Sequence, residues 1–117
     1  MSQITFVEMG SGDAAKTSAF FSELFGWRFE QMGEPADGGW FDAPGIRLGL
    51  HGGDPNWGMV PYFNVPDIDR AIETVRALGG STDGKIADVD GFGRFCNCKD
   101  PQGMRFGLHQ LESQAAR

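Results

Sequence analysis

Apolar residues recur along this 117-residue chain with two spacings, every second position and every third or fourth. The first spacing marks half-buried strands and the second marks amphipathic helices. Residues 4–9 read as a strand. Asp13 then stands as the N-cap of a helix over about residues 14–25, with an apolar stripe of Thr17, Phe20, Phe21, Leu24 and Phe25, closed by Gly26. Residues 28–32 read as a second strand, 33–39 as a polar loop, Trp40 and Phe41 as part of a third strand, and 46–51 as a fourth. The order then starts again. Residues 62–65 read as a strand, and Asp67 caps a helix with stripe Ile68, Ala71, Ile72, Val75 and Leu78, closed by Gly79 and Gly80. A short strand near residues 85–87, a strand over 94–99, a Pro- and Gly-containing turn at 100–103 and a last strand over 104–110 follow.

The order repeats because the sequence repeats. The ten residues from Asp42 to His51 return 58 positions later as Asp100 to His109, with Asp, Gly, Arg, Gly, Leu and His in register. A repeat of nearly half the chain predicts two copies of one module. Each reads βαβββ, so the fold class is α+β. The expected organisation is a single domain with module 1 at residues 1–52, a linker at 53–58, module 2 at 59–112 and a frayed tail at 113–117.

Strand alternation assigns faces. Ile46, Leu48 and Leu50 share one face with the helix, as do Met104, Phe106 and Leu108. Arg47, Gly49 and His51 take the other face, matched by Arg105, Gly107 and His109. Two such sheets, curled into a cupped mixed sheet, would line its hollow with these residues, and the glycines would leave room.

Composition narrows the partners. The net charge of −6 argues against nucleic acid, which needs phosphate-neutralising Lys and Arg. No apolar run approaches the roughly 20 residues of a membrane span. The N-terminus lacks a basic region followed by an apolar one, so no signal peptide is expected. Cys96 and Cys98 sit two apart on one strand, where a mutual disulfide would be strained. Reduced thiols and a cytoplasmic setting are expected. Two thiolates without a second pair make an incomplete zinc shell.

Several motifs together resemble the vicinal oxygen chelate superfamily, its glyoxalase-like branch above all. They are Asp13 with Ala19, Phe20 and Phe21; Leu24 to Trp27; Pro61 to Val65 with Asp67 to Ala71; Leu78 to Gly80; Gly93 to Phe95; and Asp100 to Gly103 leading to Phe106, Gly107 and Leu108. The resemblance covers nearly the whole chain. It implies paired βαβββ modules forming a cup, and a homodimer. It also implies four metal positions, which fall here on Phe6, Gly49, Val60 and Gly107. None of these side chains can ligate a divalent ion. No metal and no cofactor are therefore expected.

The expected function is to bind a small organic ligand in the cup. Arg47 and Arg105 would hold an anionic rim, Phe6, Trp40 and Tyr62 would pack on an apolar body, and His51 and His109 would line the strand ends. Glu8 would serve as acceptor or as a general acid or base. The competing class is an enzyme of lactoylglutathione-lyase or dioxygenase type. It would use a displaced metal on Glu8, His51 and His109, or Glu8 alone as base. A third class is a structural dimerisation module.

Overall fold

Each copy of the repeat builds one sheet half with its own helix and its own core. The structure, a computed structural model, describes residues 3–32 and 37–112. Its elements are β1 (Ile4–Gly10), α1 (Ala14–Phe25), β2 (Arg28–Gln31), β3 (Gly38–Ala43), β4 (Ile46–His51), β5 (Gly58–Asn64), α2 (Ile68–Ala77), β6 (Ser81–Val89), β7 (Gly93–Lys99) and β8 (Arg105–Leu111). Residues 33–36 of the expected polar loop, and the expected tail at 113–117, lie outside the described residues. Among those described, no helix is long and apolar enough to cross a membrane.

The chain divides into two compact units, Phe6–Val60 and a second made of Met1–Thr5 with Pro61–Arg117. This differs from the boundaries read off the sequence. Residues 3–5 belong with the second unit because Gln3 O accepts from Asn64 N at 2.7 Å and Thr5 bonds to His109. The expected linker is not a free tether either. Gly53 N and Asp54 N donate to Gly12 O and Ser11 O at 3.2 and 3.0 Å, and Gly58 already starts β5.

In the first unit the strand order is β2-β3-β4-β1, with β4 and β1 parallel and the other pairs antiparallel. A parallel pair cannot close with a hairpin, and α1 supplies part of the crossover. Asp13 caps α1 by accepting from Lys16 N at 3.1 Å, and Gly26 ends it at φ 73°, in the left-handed region. Met9, Ala14, Phe41, Leu48 and Leu50 form the core, with Val7, Phe21, Trp27, Phe29, Ala43 and Ile46 packed against them. The apolar stripe expected on α1 is only partly used. Phe21 packs inward, whereas Phe20, Leu24 and Phe25 stay more than half exposed. Helical spacing puts these residues near one side of α1, but the sheet meets only the line through Ala14 and Phe21.

The second unit repeats the plan with order β5-β8-β7-β6, β5 and β8 being parallel. Asp67 caps α2 through Arg70 N at 3.2 Å. Ile68, Ile72, Cys96, Cys98 and Leu108 are its core. Each such aliphatic side chain contributes roughly 1.5–3 kcal/mol on full burial. Gln110 is buried as well, its Oε1 accepting from Ile68 N at 2.9 Å. Three expectations change here. Leu78 lies beyond the end of α2 and is exposed, Met104 precedes β8 and is exposed, and the short strand expected near residues 85–87 is the nine-residue β6. β6 carries a register shift between Asp83 and Ala87, which breaks the alternation that would reveal a long strand.

Candidate functional site

The face of the first unit opposite α1 is a grid fixed by strand register. Phe6, Arg47 and Asp42 form one row, Glu8, Gly49 and Trp40 the next, and Gly10, His51 and Gly38 the third. Glycines on both sides of His51 leave its imidazole room to reach two carboxylates. Nδ1 lies 2.8 Å from Glu8 Oε1 and Nε2 lies 2.7 Å from Asp54 Oδ2. With both acids ionised the carboxylates accept, so both ring nitrogens donate and His51 is held in its protonated form. Burial by itself would lower its pKa, but the bonds to Glu8 and Asp54 outweigh this and raise it above the ordinary 6.5. Burial raises the Glu8 carboxyl above its ordinary 4.5, against the opposing pull of His51. Asp54 is itself fixed, its Oδ1 accepting from Asn56 N at 2.8 Å.

Gly49 explains where the Glu8 carboxylate sits. A Cβ built on Gly49 would lie 2.5 Å from Glu8 Oε2 and 2.6 Å from Phe6 Cζ. The space left by the missing side chain is therefore filled from β1. Gly10 makes similar room for the Asp54 carboxylate. Glu8 leans across β4, and Trp40 stands directly beyond Gly49. The Arg47 guanidinium lies 4.1 Å from the Trp40 ring centroid, a cation–π contact. Beside this contact, toward the β3–β4 turn, lies a cavity of about 320 Å³ lined by Arg28, Glu30, Trp40, Asp42 and Arg47 and by the core-facing Phe41, Ala43 and Ile46; Glu8 and Gly49 do not line it.

The second unit uses the same register for a different purpose. Tyr62 pairs with Gly107 as Glu8 pairs with Gly49, and its ring covers the glycine. The Tyr62 hydroxyl donates to Asn97 Oδ1, and its ring meets Phe95 edge-on with centroids 5.8 Å apart. His109 is 2% exposed and stacks on Phe92 with centroids 4.0 Å apart. Its Nε2 is 2.7 Å from Phe92 O, so that nitrogen carries the hydrogen. Nδ1 then accepts from Thr5 Oγ1 at 2.8 Å. Burial lowers the His109 pKa below 6.5, consistent with a neutral ring. Arg105 is exposed, in register with Lys99.

The first unit thus brings together Glu8, His51, Trp40 and Arg47, with Phe6 buried beneath the carboxylate. Tyr62 and His109 are interior residues whose polar atoms already have partners in the second unit. This differs from the ligand-lining role read from their strand positions. Asp54 escaped the sequence reading, although its position three residues after His51 in a Gly-rich turn was a usable signal. Thr5, Phe92 and Asn97 carried no signal, because each acts through a long-range contact.

The metal positions implied by the resemblance do not fit an ion. Phe6, Gly49, Val60 and Gly107 offer no side-chain donor, and the space at both glycines is taken by Glu8 with Phe6 and by Tyr62. A displaced site on Glu8, His51 and His109 meets a second obstacle. Both nitrogens of His51 face carboxylates on opposite sides of the ring, and both of His109 are bonded within its unit. Among the described residues no group of three or more His, Cys, Asp or Glu side chains could hold a metal ion.

Two βαβββ units, each with a helix on one sheet face and a Gly-centred grid on the other, define an α+β protein of the paired-module kind. The chain belongs to the Glyoxalase/Bleomycin resistance protein/Dioxygenase superfamily, whose family model matches residues 3–108. It is 31% identical over 104 residues to a glyoxylase-like domain-containing protein of Didymella fabae, covering 78% of this chain and 77% of that one. It is 28% identical over 116 residues to CFP32 of Mycobacterium tuberculosis, a protein that bears the name of a glyoxylase, covering 90% of this chain and 44% of that one. The chain spans less than half the length of the curated relatives it matches first. A solved Vibrio splendidus member of the superfamily shares the fold at a TM-score of 0.69 with 15% identity, covering 95% of this chain and 99% of that one.

Proposed function

We propose that this chain binds a small organic molecule on the open face of its first unit, without a metal ion. The observation that carries this reading is the cavity of about 320 Å³ walled by Arg47, Trp40, Arg28, Glu30 and Asp42. Its size falls at the lower end of the range for small-molecule sites. Arg47 offers fork-shaped donors to a carboxylate, and its contact with Trp40 gives a flat platform for an aromatic body. Glu8 lies on the far side of Gly49 as an acceptor. A cytoplasmic setting accords with two buried, unbridged thiols. The partner that fits best is a second copy of the chain, because Phe20, Leu24 and Phe25 leave an apolar strip exposed on α1.

Calorimetric titration with phenylpyruvate, after dialysis against a chelator, tests the reading. Saturable binding is expected, weakened about tenfold or more by Arg47→Ala, as for loss of a charged hydrogen bond. Binding that appears only when a divalent ion is restored would overturn it. So would binding indifferent to both Arg47→Ala and Trp40→Ala.

A further inference from the structure

The helix side of the first unit carries a second cavity, of about 350 Å³, at the C-terminal half of α1. Its lining lies wholly within Phe6–Val60. None of the lining side chains is charged, and the Trp27 indole alone among them carries an N–H. Phe21, Phe25 and Trp27 form one wall, Met9 and Leu48 belong to the core beneath, and Met59 stands at the rim.

The three rings of the wall are nearly parallel. Phe25 and Trp27 lie 26° apart in plane with centroids at 4.5 Å, Phe21 and Trp27 12° apart at 6.4 Å, and Phe21 and Phe25 14° apart at 6.2 Å. Phe41, buried in the core, meets Phe21 and Trp27 steeply, at 73° and 61°, and so fixes their planes. The wall is set before anything binds, which lowers the cost of binding. Phe25 and Met59 are each more than half exposed, so the cavity is reached past apolar side chains.

We infer that this cavity is a binding site for an uncharged, multi-ring aromatic molecule, separate from the site beside Arg47. An apolar cavity of roughly 150 Å³ already admits benzene, so about twice that volume takes two or three rings. Charge is excluded, because a carboxylate or ammonium here would lose its water and find no partner. The flat shape follows from the parallel wall, against which a ring system stacks with an offset. Met9 and Met59 add thioethers, which pack well at ring edges. Ala43 and Ile46 also line the cavity beside Arg47, but the walls otherwise differ: that one carries Arg28, Glu30, Asp42 and Arg47, and this one carries no charge. Phe20 and Leu24, the rest of the exposed strip on α1, do not line it. A second copy resting on that strip and a small molecule inside the cavity are therefore different occupants.

The probe is N-phenyl-1-naphthylamine, which is uncharged and fluoresces strongly only in apolar surroundings. It is titrated into the whole chain, with naphthalene, phenylpyruvate and decanol as competitors. Saturable binding is expected, displaced by naphthalene and untouched by phenylpyruvate. Saturating naphthalene should also raise the urea midpoint, which separates a site on the folded chain from dye held by unfolded chain. Val7→Phe, which fills the cavity from β1, should weaken the probe about tenfold, and Met59→Glu at the exposed rim about threefold. Absence of saturable binding, or binding that neither substitution alters, overturns the assignment. Displacement by phenylpyruvate does so too, since it merges this cavity with the site beside Arg47. If decanol displaces the probe as readily as naphthalene, the aromatic class is wrong. Probe binding that weakens as the chain concentration rises, in step with dimers in sedimentation, gives the cavity to a second copy instead.

Discussion

Replacing the two equivalent glycines of the repeat by alanine should have unequal consequences. A Cβ on Gly107 would come within 2.5 Å of three ring atoms of Tyr62. That ring is 4% exposed, pressed edge-on by Phe95 and tied to Asn97 through its hydroxyl. It cannot swing out, so it must shift within a packed interior. Overpacking of this kind costs about 1–3 kcal/mol, and loss of the Tyr62–Asn97 bond adds about 1 kcal/mol. The lower chain entropy of alanine in a strand returns about 0.5–1 kcal/mol. The net expectation for Gly107→Ala is a loss of about 1–3.5 kcal/mol, or roughly 5–15 °C in Tm for a domain of this size. At Gly49 the obstructing atoms are the tips of Glu8 and Phe6. The carboxylate can swing aside, and only the tip of the buried Phe6 ring must shift, so Gly49→Ala should cost about 1–2 kcal/mol, less than Gly107→Ala, while the Glu8–His51 bond is lost. Urea titrations measured with Gly49→Ala, Gly107→Ala, Tyr62→Ala and the Gly107→Ala/Tyr62→Ala double variant decide the matter. In the Tyr62→Ala background, Gly107→Ala should cost nothing. Equal losses at the two glycines, or a Gly107→Ala protein within about 0.5 kcal/mol of the parent, would refute the packing argument.

Three further outcomes are expected. His109 is buried neutral, so its folded pKa lies below the unfolded 6.5; its contribution is present above pH 6.5 and is lost as the pH falls through the folded value. His51 runs the other way, its contribution being present below pH 6.5 and lost as the pH rises through its raised folded value. Urea midpoints across this range for His109→Gln and His51→Asn should each remove one of the two trends, and a His109→Gln protein that keeps the acid-side loss would contradict the assignment. Burial raises the pKa of Cys96 and pushes that of Cys98 up to about 12, and each is 1% exposed, so neither thiol should react with a disulfide reagent until urea unfolds the chain; a stoichiometric native-state reaction would disprove this. Leu24→Lys on the exposed strip of α1 should change stability by less than about 0.5 kcal/mol and abolish any self-association seen in sedimentation; dimers that survive it would place the contact elsewhere.

The fold was legible because two independent signals agreed. Asp13 and Asp67 both cap the helices they were expected to cap, and Arg47 and Arg105 share their sheet face with the repeat's inner glycines. Alternation also placed Glu8, Trp40 and Arg47 on one face, which is most of the candidate site. What it could not show was depth. His51 and His109 occupy equivalent positions, yet one is exposed between two acids and the other is sealed under Phe92. The difference comes from residues far away in sequence or in loops, Thr5 and Phe92 for one and Asp54 for the other. Side-chain periodicity carries no information about such partners.

The bond between Thr5 and His109 joins positions 104 residues apart, and Gln3 reaches Asn64 in the same unit. During synthesis the first unit has all of its own segments once residue 60 has emerged. The second cannot close at that point. Its opening strand segment precedes the first unit in the chain but must wait for β8, on the other side of that unit, before the imidazole that it anchors exists. Residues 3–5 are therefore held in reserve while the intervening unit folds, and this long closure is the step expected to set the pace of folding.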